Sequence, residues 1–118
     1  MIKNTHKQAA HTLGIQGEQL VADWYQAAGY EILERNWRCF EGEIDIIARK
    51  GRTIAVCEVK ARATDRFMDP ALAVGPAKQA RVRTAAFRWL ETNRCQGRAR
   101  FDVALVINGQ IQMMPGVF

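Results

Sequence analysis

Histidine and cysteine are both scarce in this sequence. Its two histidines, His6 and His11, fall within residues 1–11, a segment expected to be a mobile tail. A Ser-His-Asp triad, a Cys-His pair or a histidine-rich zinc site would have to draw on that tail. The three cysteines are an odd number without C-x-x-C spacing, which disfavours a disulfide framework or a zinc knuckle and is typical of a reducing cytoplasm. An enzyme of this composition would use carboxylates, lysine and arginine.

Long apolar runs are also missing. The longest uncharged segment, Val103 to Phe118, contains Asn108 and Pro115 and cannot span a bilayer. The polar N-terminus has no apolar segment of the kind found in secretory signals, so we expect a cytoplasmic protein without membrane contact. A length of 118 residues, 48% of them hydrophobic and 25% charged, predicts a single globular domain over residues 1–118.

Positive charge is concentrated in one part of the chain. The net charge is +5, but residues 60–100 hold ten lysines and arginines against three acidic residues. A basic face is typical of proteins that bind nucleic acid, because neutralising phosphates drives that association. A solvated basic helix on an unrelated protein would give the same count, so charge alone leaves both interpretations open.

The hydrophobic pattern predicts an α/β protein with the order αβββαββ. Spacings of three and four residues predict two helices, over 12–28 and 77–92. Alternation and turn residues predict strands over 30–38, 43–49, 53–62, 101–107 and 110–114. Strands one to three form an antiparallel meander, and the crossover through the second helix places strand four parallel to strand three. The expected fold is a mixed sheet flanked by helices, with an extra C-terminal hairpin strand.

The first helix is expected to bury an apolar stripe, and Glu18 borders that stripe because it lies three residues before Val21. Gly14 and Gly17 either weaken the helix or allow close backbone approach. Trp89 is expected in the core of the second helix, and Trp37 either packs at a strand end or stacks on a base. The predicted stripe is Leu13, Leu20, Val21, Trp24 and Ala28.

Acidic side chains gather at one end of the second hairpin. With Lys50-Gly51 as a two-residue turn, Asp45 opposes Val56, Glu43 opposes Glu58, and all four share one face with Lys60. Like charges opposed on a sheet are destabilising, and a divalent cation such as Mg²⁺ or Mn²⁺ would offset them. Alternatively, the acidic end is solvated and Lys60 forms a salt bridge there.

Gly42-Glu43-Ile44-Asp45, followed after twelve residues by Glu58-Val59-Lys60, resembles the D…(D/E)-x-K signature of the restriction-endonuclease-like nuclease superfamily, whose core is αβββαβ. Between Leu13 and Ile107 the chain is similar to one branch, the small bacterial YraN-like family, which in turn resembles the dimeric archaeal Holliday-junction resolvases. Ile44 stands where many of these nucleases have proline, as is usual in this branch. The matching stretches are residues 17–18, 29–30, 35–38, 42–47, 58–62, 76–79 and 101–103.

The resemblance implies roles for individual residues. Asp45 and Glu58 would bind Mg²⁺ or Mn²⁺, with the Val59 carbonyl as a further ligand. Lys60 would orient or activate the attacking water or stabilise charge on the phosphate. Glu18 matches an acid on the first helix that some members use at the metal. Lys78 and Gln79 match a second-helix position that often faces the active site. Independently of the resemblance, Glu43 on the hairpin face and Asp102 at the start of strand four are candidates to support the ligands without touching the ion.

The function that this resemblance implies is metal-dependent endonuclease activity on branched or structured nucleic acid, on DNA in preference to RNA, with a homodimer as one possible assembly. Two alternatives stay open: a nucleic-acid-binding module that keeps the fold without cleaving, and a protein-interaction domain with a basic face. Asp102 has an open alternative of its own, pairing with a nearby arginine. The residues expected to hold the phosphate backbone are Arg62, Arg66, Lys78, Arg81 and Arg88.

Overall fold

The computed structural model describes residues 5–62 and 74–118 and shows a mixed α/β fold. The predicted element order is confirmed. Helix α1 begins at Thr5 rather than at residue 12, so part of the expected tail is helical. The elements are α1 (Thr5–Ala27), β1 (Glu31–Cys39), β2 (Gly42–Lys50), β3 (Thr53–Arg62), α2 (Pro76–Thr92), β4 (Arg98–Ile107) and β5 (Gln110–Met114).

The strands form one sheet in the order β1-β2-β3-β4-β5. Neighbouring pairs are antiparallel except β3 and β4, which are parallel, as the crossover through α2 requires. This confirms the predicted mixed sheet with its C-terminal hairpin strand. Helix α1 packs on one face of the sheet, around Val21 and Tyr25, and α2 packs on the other, around Val82 and Trp89. The central strands are therefore covered on both sides.

The buried side of α1 differs from the prediction. Val21 and Tyr25 are fully buried, whereas Leu20 and Trp24, expected in the core, are 37% and 39% exposed. The physical reason is a partner for Tyr25, whose hydroxyl donates a hydrogen bond to the buried Asp102 at 2.7 Å. A buried tyrosine needs such a partner, and this contact fixes the rotation of the helix.

The two glycines near the start of α1 have different surroundings. A Cβ atom at Gly17 would lie 2.9 Å from the Cβ of Ala61 on β3, whereas a Cβ at Gly14 would meet nothing within 4 Å. Gly17 is buried and allows the helix to approach the sheet closely. Of the two roles considered for these glycines, close approach therefore applies to Gly17.

Alanine at these two positions should have opposite effects on stability. Gly17→Ala should destabilise the protein by about 1–3 kcal/mol through overpacking, and Gly14→Ala should stabilise it by roughly 0.5–1 kcal/mol through helix propensity. Urea unfolding of both variants measures this. Equal effects at the two positions would contradict the close packing of α1 on β3.

The β2–β3 register is shifted by two residues from the predicted one. Lys50 pairs with Thr53, so the turn is Gly51-Arg52 rather than Lys50-Gly51. Gly51 has a φ of +61° in the first central position, where a type II′ turn requires glycine. A shift of two residues preserves the alternation of faces but changes the partners. Asp45 therefore does not oppose Val56, and Glu43 does not oppose Glu58.

In the parts of the chain that the structure describes, no helix is long and apolar enough to cross a membrane.

Candidate metal centre

The candidate site lies where β2 separates from β3. The ladder between the strands ends at the pair Ile46 and Cys57, and Asp45 and Glu58 are the next residues on each strand. Beyond the ladder, the backbone N–H of Val59 donates a hydrogen bond to Asp45 Oδ2 at 2.8 Å. This hydrogen bond from β3 holds the Asp45 carboxylate beside that strand, just beyond the end of the ladder.

A local break in the alternation of β2 accompanies this separation. Ile44 was expected on the same face as Ile46, but it packs in the α2-side core while Ile46 packs in the α1-side core. On β1, Asn36 has a φ of +51°, a left-handed conformation that asparagine tolerates better than most residues. Because Arg35 pairs with Ile46 and Trp37 with Ile44, both strands change face at this point.

Glu58 is the most unusual side chain in the centre. It is only 1% exposed, although glutamate is almost never fully buried without partners. Its Oε2 lies 3.1 Å from Nζ of Lys78 on α2. Its Oε1 is buried and has no hydrogen-bond partner among the described residues. An unsatisfied buried acceptor costs about 1–3 kcal/mol, more if charged, so this oxygen is available to a further positive ligand.

The two carboxyl groups hold their protons unusually tightly. Burial raises the pKa of Asp45 to about 7, with a further contribution from the negative charge of Glu58. Burial also raises the pKa of Glu58, although the charge of Lys78 opposes this shift. The surroundings of each carboxyl group thus disfavour its ionisation, which is the electrostatic condition that a bound divalent cation relieves.

Two lysines lie beside Glu58 in different electrostatic states. Burial and the neighbouring charge of Lys78 lower the pKa of Lys60, and Glu58 only partly offsets them. Burial acts against the charged form of Lys78 as well, but the charge and hydrogen bond of Glu58 outweigh it and raise the pKa of that lysine. Lys78 is therefore the stable cation of the pair, and Lys60 releases its proton more readily.

Among the described residues, the interaction found between Glu18 and the centre is electrostatic. Its negative charge raises the pKa of Asp45. Within residues 5–62 and 74–118, no group of three or more Asp, Glu, His or Cys side chains could hold a metal ion. The expected set of Glu18, Asp45 and Glu58 is thus not assembled as three direct ligands. The carboxylates that the structure brings together are Asp45 and Glu58.

Two residues that were expected to support the centre have other contacts. Glu43 forms an exposed ion pair with Arg38 at 3.0 Å. Its negative charge also contributes to the raised pKa of Glu58. Gln79 donates a hydrogen bond from Nε2 to the carbonyl of Val74 at 2.8 Å. Gln79 therefore holds the start of α2, one residue beyond Lys78, rather than contacting the carboxylates.

Asp102 pairs with a nearby arginine, one of its two expected roles. Arg100 donates to it twice, from Nε to Oδ1 and from Nη2 to Oδ2, each at 2.8 Å. The hydroxyl of Tyr25 and the backbone N–H of Gly116 donate to the same carboxylate at 2.7 and 2.9 Å. Sequence reasoning missed Tyr25, although a tyrosine one helical turn after Val21 is a candidate for burial with a polar partner.

The residues expected to bind phosphate are only partly free to do so. Lys78 faces Glu58, and Arg88 forms an ion pair with Glu41. Arg62 and Arg81 are exposed. Arg66 lies outside the described residues. Trp37 packs against the α2-side core, as the structural alternative for that residue predicted.

Comparison with known proteins identifies related sequences. A family model described as Uncharacterised protein family UPF0102 matches residues 17–106. A UPF0102 protein of Syntrophus aciditrophicus is 51% identical over 94 residues, covering 79% of this chain and 74% of the relative. One from Beutenbergia cavernae is 42% identical, covering 85% and 86%. One from Geobacter metallireducens is 43% identical, covering 91% and 92%.

The match includes the whole candidate centre. Residues 17–106 contain both carboxylates, both lysines and the helix α1 segment that carries Glu18. The predicted relationship to the YraN-like family is confirmed by the matching model and by these relatives. The chain belongs to the UPF0102 family.

Proposed function

We propose that this protein is a metal-dependent nuclease that hydrolyses phosphodiester bonds in nucleic acid, with branched or structured DNA as its substrate. One observation supports this most strongly: Glu58, whose buried Oε1 has no hydrogen-bond partner among the described residues, follows the end of the ladder as Asp45 does, and its charge raises the pKa of Asp45. Lys78 neutralises part of the charge of this centre through Oε2 of Glu58, and a further cation would offset the charge of the second buried acid. The charge of this centre and its hard oxygen donors both fit Mg²⁺ or Mn²⁺.

The residues that would hold the ion are Asp45 and Glu58, with the Val59 carbonyl as a third donor. Mg²⁺ is commonly bound by one or two carboxylates and keeps several waters, so a two-carboxylate centre is sufficient. When bound, such an ion lowers the pKa of a coordinated water and neutralises charge on a phosphate.

The two lysines supply the remaining chemistry. Lys60, whose pKa is lowered mainly by burial, can accept a proton from the attacking water or donate a hydrogen bond to the phosphate. Lys78 stays charged and holds Glu58 Oε2, which leaves Oε1 for the ion. Arg62 and Arg81 are exposed and can contact the phosphate backbone. Hydrolysis by these groups requires no histidine.

Cleavage assays test the proposal directly. Purified protein with Mg²⁺ or Mn²⁺ should cut at least one of four labelled substrates: a four-way DNA junction, a DNA fork, single-stranded DNA and a structured RNA. EDTA should stop the reaction. Salt-dependent binding of these substrates without cleavage would favour the binding-module alternative, and neither binding nor cleavage would leave a protein-interaction domain.

Metal binding should also stabilise the fold. Mn²⁺ at 100 times its Kd should add about 2.7 kcal/mol to the free energy of unfolding, because the ion binds the folded site. Thermal unfolding with and without Mn²⁺ measures the effect, and Asp45→Asn should remove most of it. An equal shift in both proteins would place the ion elsewhere.

A further inference from the structure

The turn between β1 and β2 presents a fully exposed aromatic side chain. Phe40 has a relative exposure of 102%, the highest among the exposed large apolar residues of the described chain. Single exposed apolar residues are common, so exposure alone assigns no role to Phe40. Its surroundings and its position relative to the candidate centre give the exposure a meaning.

The turn that carries Phe40 is anchored to α2 by the two residues that follow the ring, Glu41 and Gly42. Glu41, the next residue, forms an ion pair with Arg88 of α2. A Cβ at Gly42 would lie 3.4 Å from Cβ and 3.6 Å from the carbonyl oxygen of Arg81, so the backbone after the turn packs on α2. The ring of Phe40 is therefore presented to solvent from a fixed support.

Phe40 lies at the same end of the sheet as the candidate metal centre. It is five residues before Asp45, so an extended strand separates the two by at most about 17 Å. Three arginines surround the turn: Arg38 precedes it, and Arg81 and Arg88 lie on α2 beside it. Arg38 and Arg88 are paired with Glu43 and Glu41, whereas Arg81 is exposed. An exposed aromatic ring near an exposed arginine, a few nucleotide lengths from the proposed metal centre, is the combination found in single-strand binding sites.

We propose that Phe40 is a stacking platform for an unpaired base of the nucleic acid and positions that strand for cleavage at Asp45 and Glu58. This inference deepens the proposed nuclease function and rests on it. It also assigns the substrate class, which is nucleic acid with unpaired bases next to the scissile bond, such as a fork, flap or junction. Base stacking, considered above for Trp37, is thus assigned to Phe40, which lies three residues later on the turn.

The surroundings of Phe40 favour nucleic acid over a protein partner. Protein interfaces place their aromatic anchors within a contiguous apolar patch that excludes water. The side chains near this turn are instead mostly charged: Arg38 and Glu41 along the chain, and Arg81 and Arg88 on α2, which contact Gly42 and Glu41. The other large exposed apolar side chains belong to the two helices: Ile15, Leu20, Trp24 and Phe87.

Base stacking can be measured without cleavage. Binding in EDTA of a DNA fork with 2-aminopurine in its single-stranded arm reports both affinity and stacking. Phe40→Ala should weaken fork binding about 5- to 100-fold and abolish fluorescence quenching at one arm position. Phe40→Trp should restore both signals. Phe87→Ala, which removes another exposed aromatic on α2, should bind like the wild type.

Two further measurements keep the test decisive. A fully paired duplex of equal length should bind wild type and Phe40→Ala equally, and both proteins should have the same melting temperature because the side chain of Phe40 is fully exposed. Unchanged fork affinity in Phe40→Ala would overturn the inference even if the protein cleaves. Loss of self-association in Phe40→Ala, seen by sedimentation, would assign the residue to a contact between copies instead. Stacking without any cleavage would retain the platform and overturn only the nuclease.

Discussion

Asp45→Asn should reduce phosphodiester cleavage by at least about 100-fold, the usual cost of losing one charge-stabilising group in an active site. The amide is nearly isosteric and can still accept the hydrogen bond that the Val59 N–H now donates at 2.8 Å. The change therefore removes a charge while leaving the local geometry in place. Single-turnover assays with saturating protein separate this loss from any loss of substrate binding.

The same substitution should stabilise the metal-free protein. Burial disfavours the charge on Asp45, and Glu58 and Glu18 repel it. Removing the charge should raise the free energy of unfolding by roughly 0.5–2 kcal/mol, a gain typical of residues kept for function at a cost in stability. Urea unfolding in EDTA measures this. A loss of both activity and stability would instead assign Asp45 a purely structural role.

Neighbouring substitutions separate metal binding from the later step. Glu58→Gln should lose cleavage and weaken Mn²⁺ binding in calorimetry, because Glu58 is a proposed ligand. Lys60→Ala should lose cleavage while Mn²⁺ still binds, because its amine acts on water or phosphate. All of these variants should retain DNA binding. Glu31→Gln, an exposed carboxylate at the other end of β1, is the matched control and should cleave normally.

The sequence predicts the elements of this fold well because their signals are local. Period-two and helical spacings determine the strands and helices, and β3 and β5 have the predicted bounds. The β2–β3 register was wrong because Gly51 suits either central position of a two-residue turn, in different turn types. The choice between these two turns depends on how both faces of the hairpin pack against the rest of the protein, and this packing involves residues far away in the sequence.

The centre could be predicted in its residue types but not in its arrangement. The spacing of Asp45, Glu58 and Lys60 indicated carboxylates next to a lysine, and the structure brings them together. The ladder between β2 and β3 ends at Ile46, level with a left-handed residue, Asn36, on β1. No pattern within β2 indicates such a change. The packing of Ile44 on the α2 side and the pairing of Glu43 with Arg38 instead of a position opposite Glu58 could therefore not be predicted.

The rotation of α1 failed for a comparable reason. The helix has apolar residues on two adjoining stripes, and periodicity alone favoured the one with Leu20 and Trp24. The structure buries Tyr25 instead because its hydroxyl reaches Asp102, which lies 77 residues later in the chain. Asp102 thus determines how the first helix is seated, and its removal should have the largest effect on stability of any single change considered.

Asp102→Ala should destabilise the protein by about 2–4 kcal/mol, because the hydrogen bonds of a buried carboxylate are lost and the buried Tyr25 hydroxyl loses this acceptor. Asp102 is fully buried, and its carboxylate accepts four hydrogen bonds that join β4 to α1 and to the C-terminal segment. Without it, the Tyr25 hydroxyl loses a partner in the core, and the Arg100 guanidinium, which is 32% exposed, loses one within reach of water. Urea unfolding followed by circular dichroism measures the loss.

Two comparisons show that this loss comes from the buried network and not from the metal centre. Tyr25→Phe removes only one hydrogen bond to the carboxylate and should cost about 1.5–3 kcal/mol. Asp23→Ala removes an exposed aspartate whose contact is Gln19 and should stay within about 0.5 kcal/mol of wild type. Folded Asp102→Ala at low temperature should still bind Mn²⁺, because Asp45 and Glu58 are intact. A loss of stability below about 1 kcal/mol would mean that water replaces the carboxylate in this network. A loss of Mn²⁺ binding by the folded variant would show that Asp102 supports the metal centre.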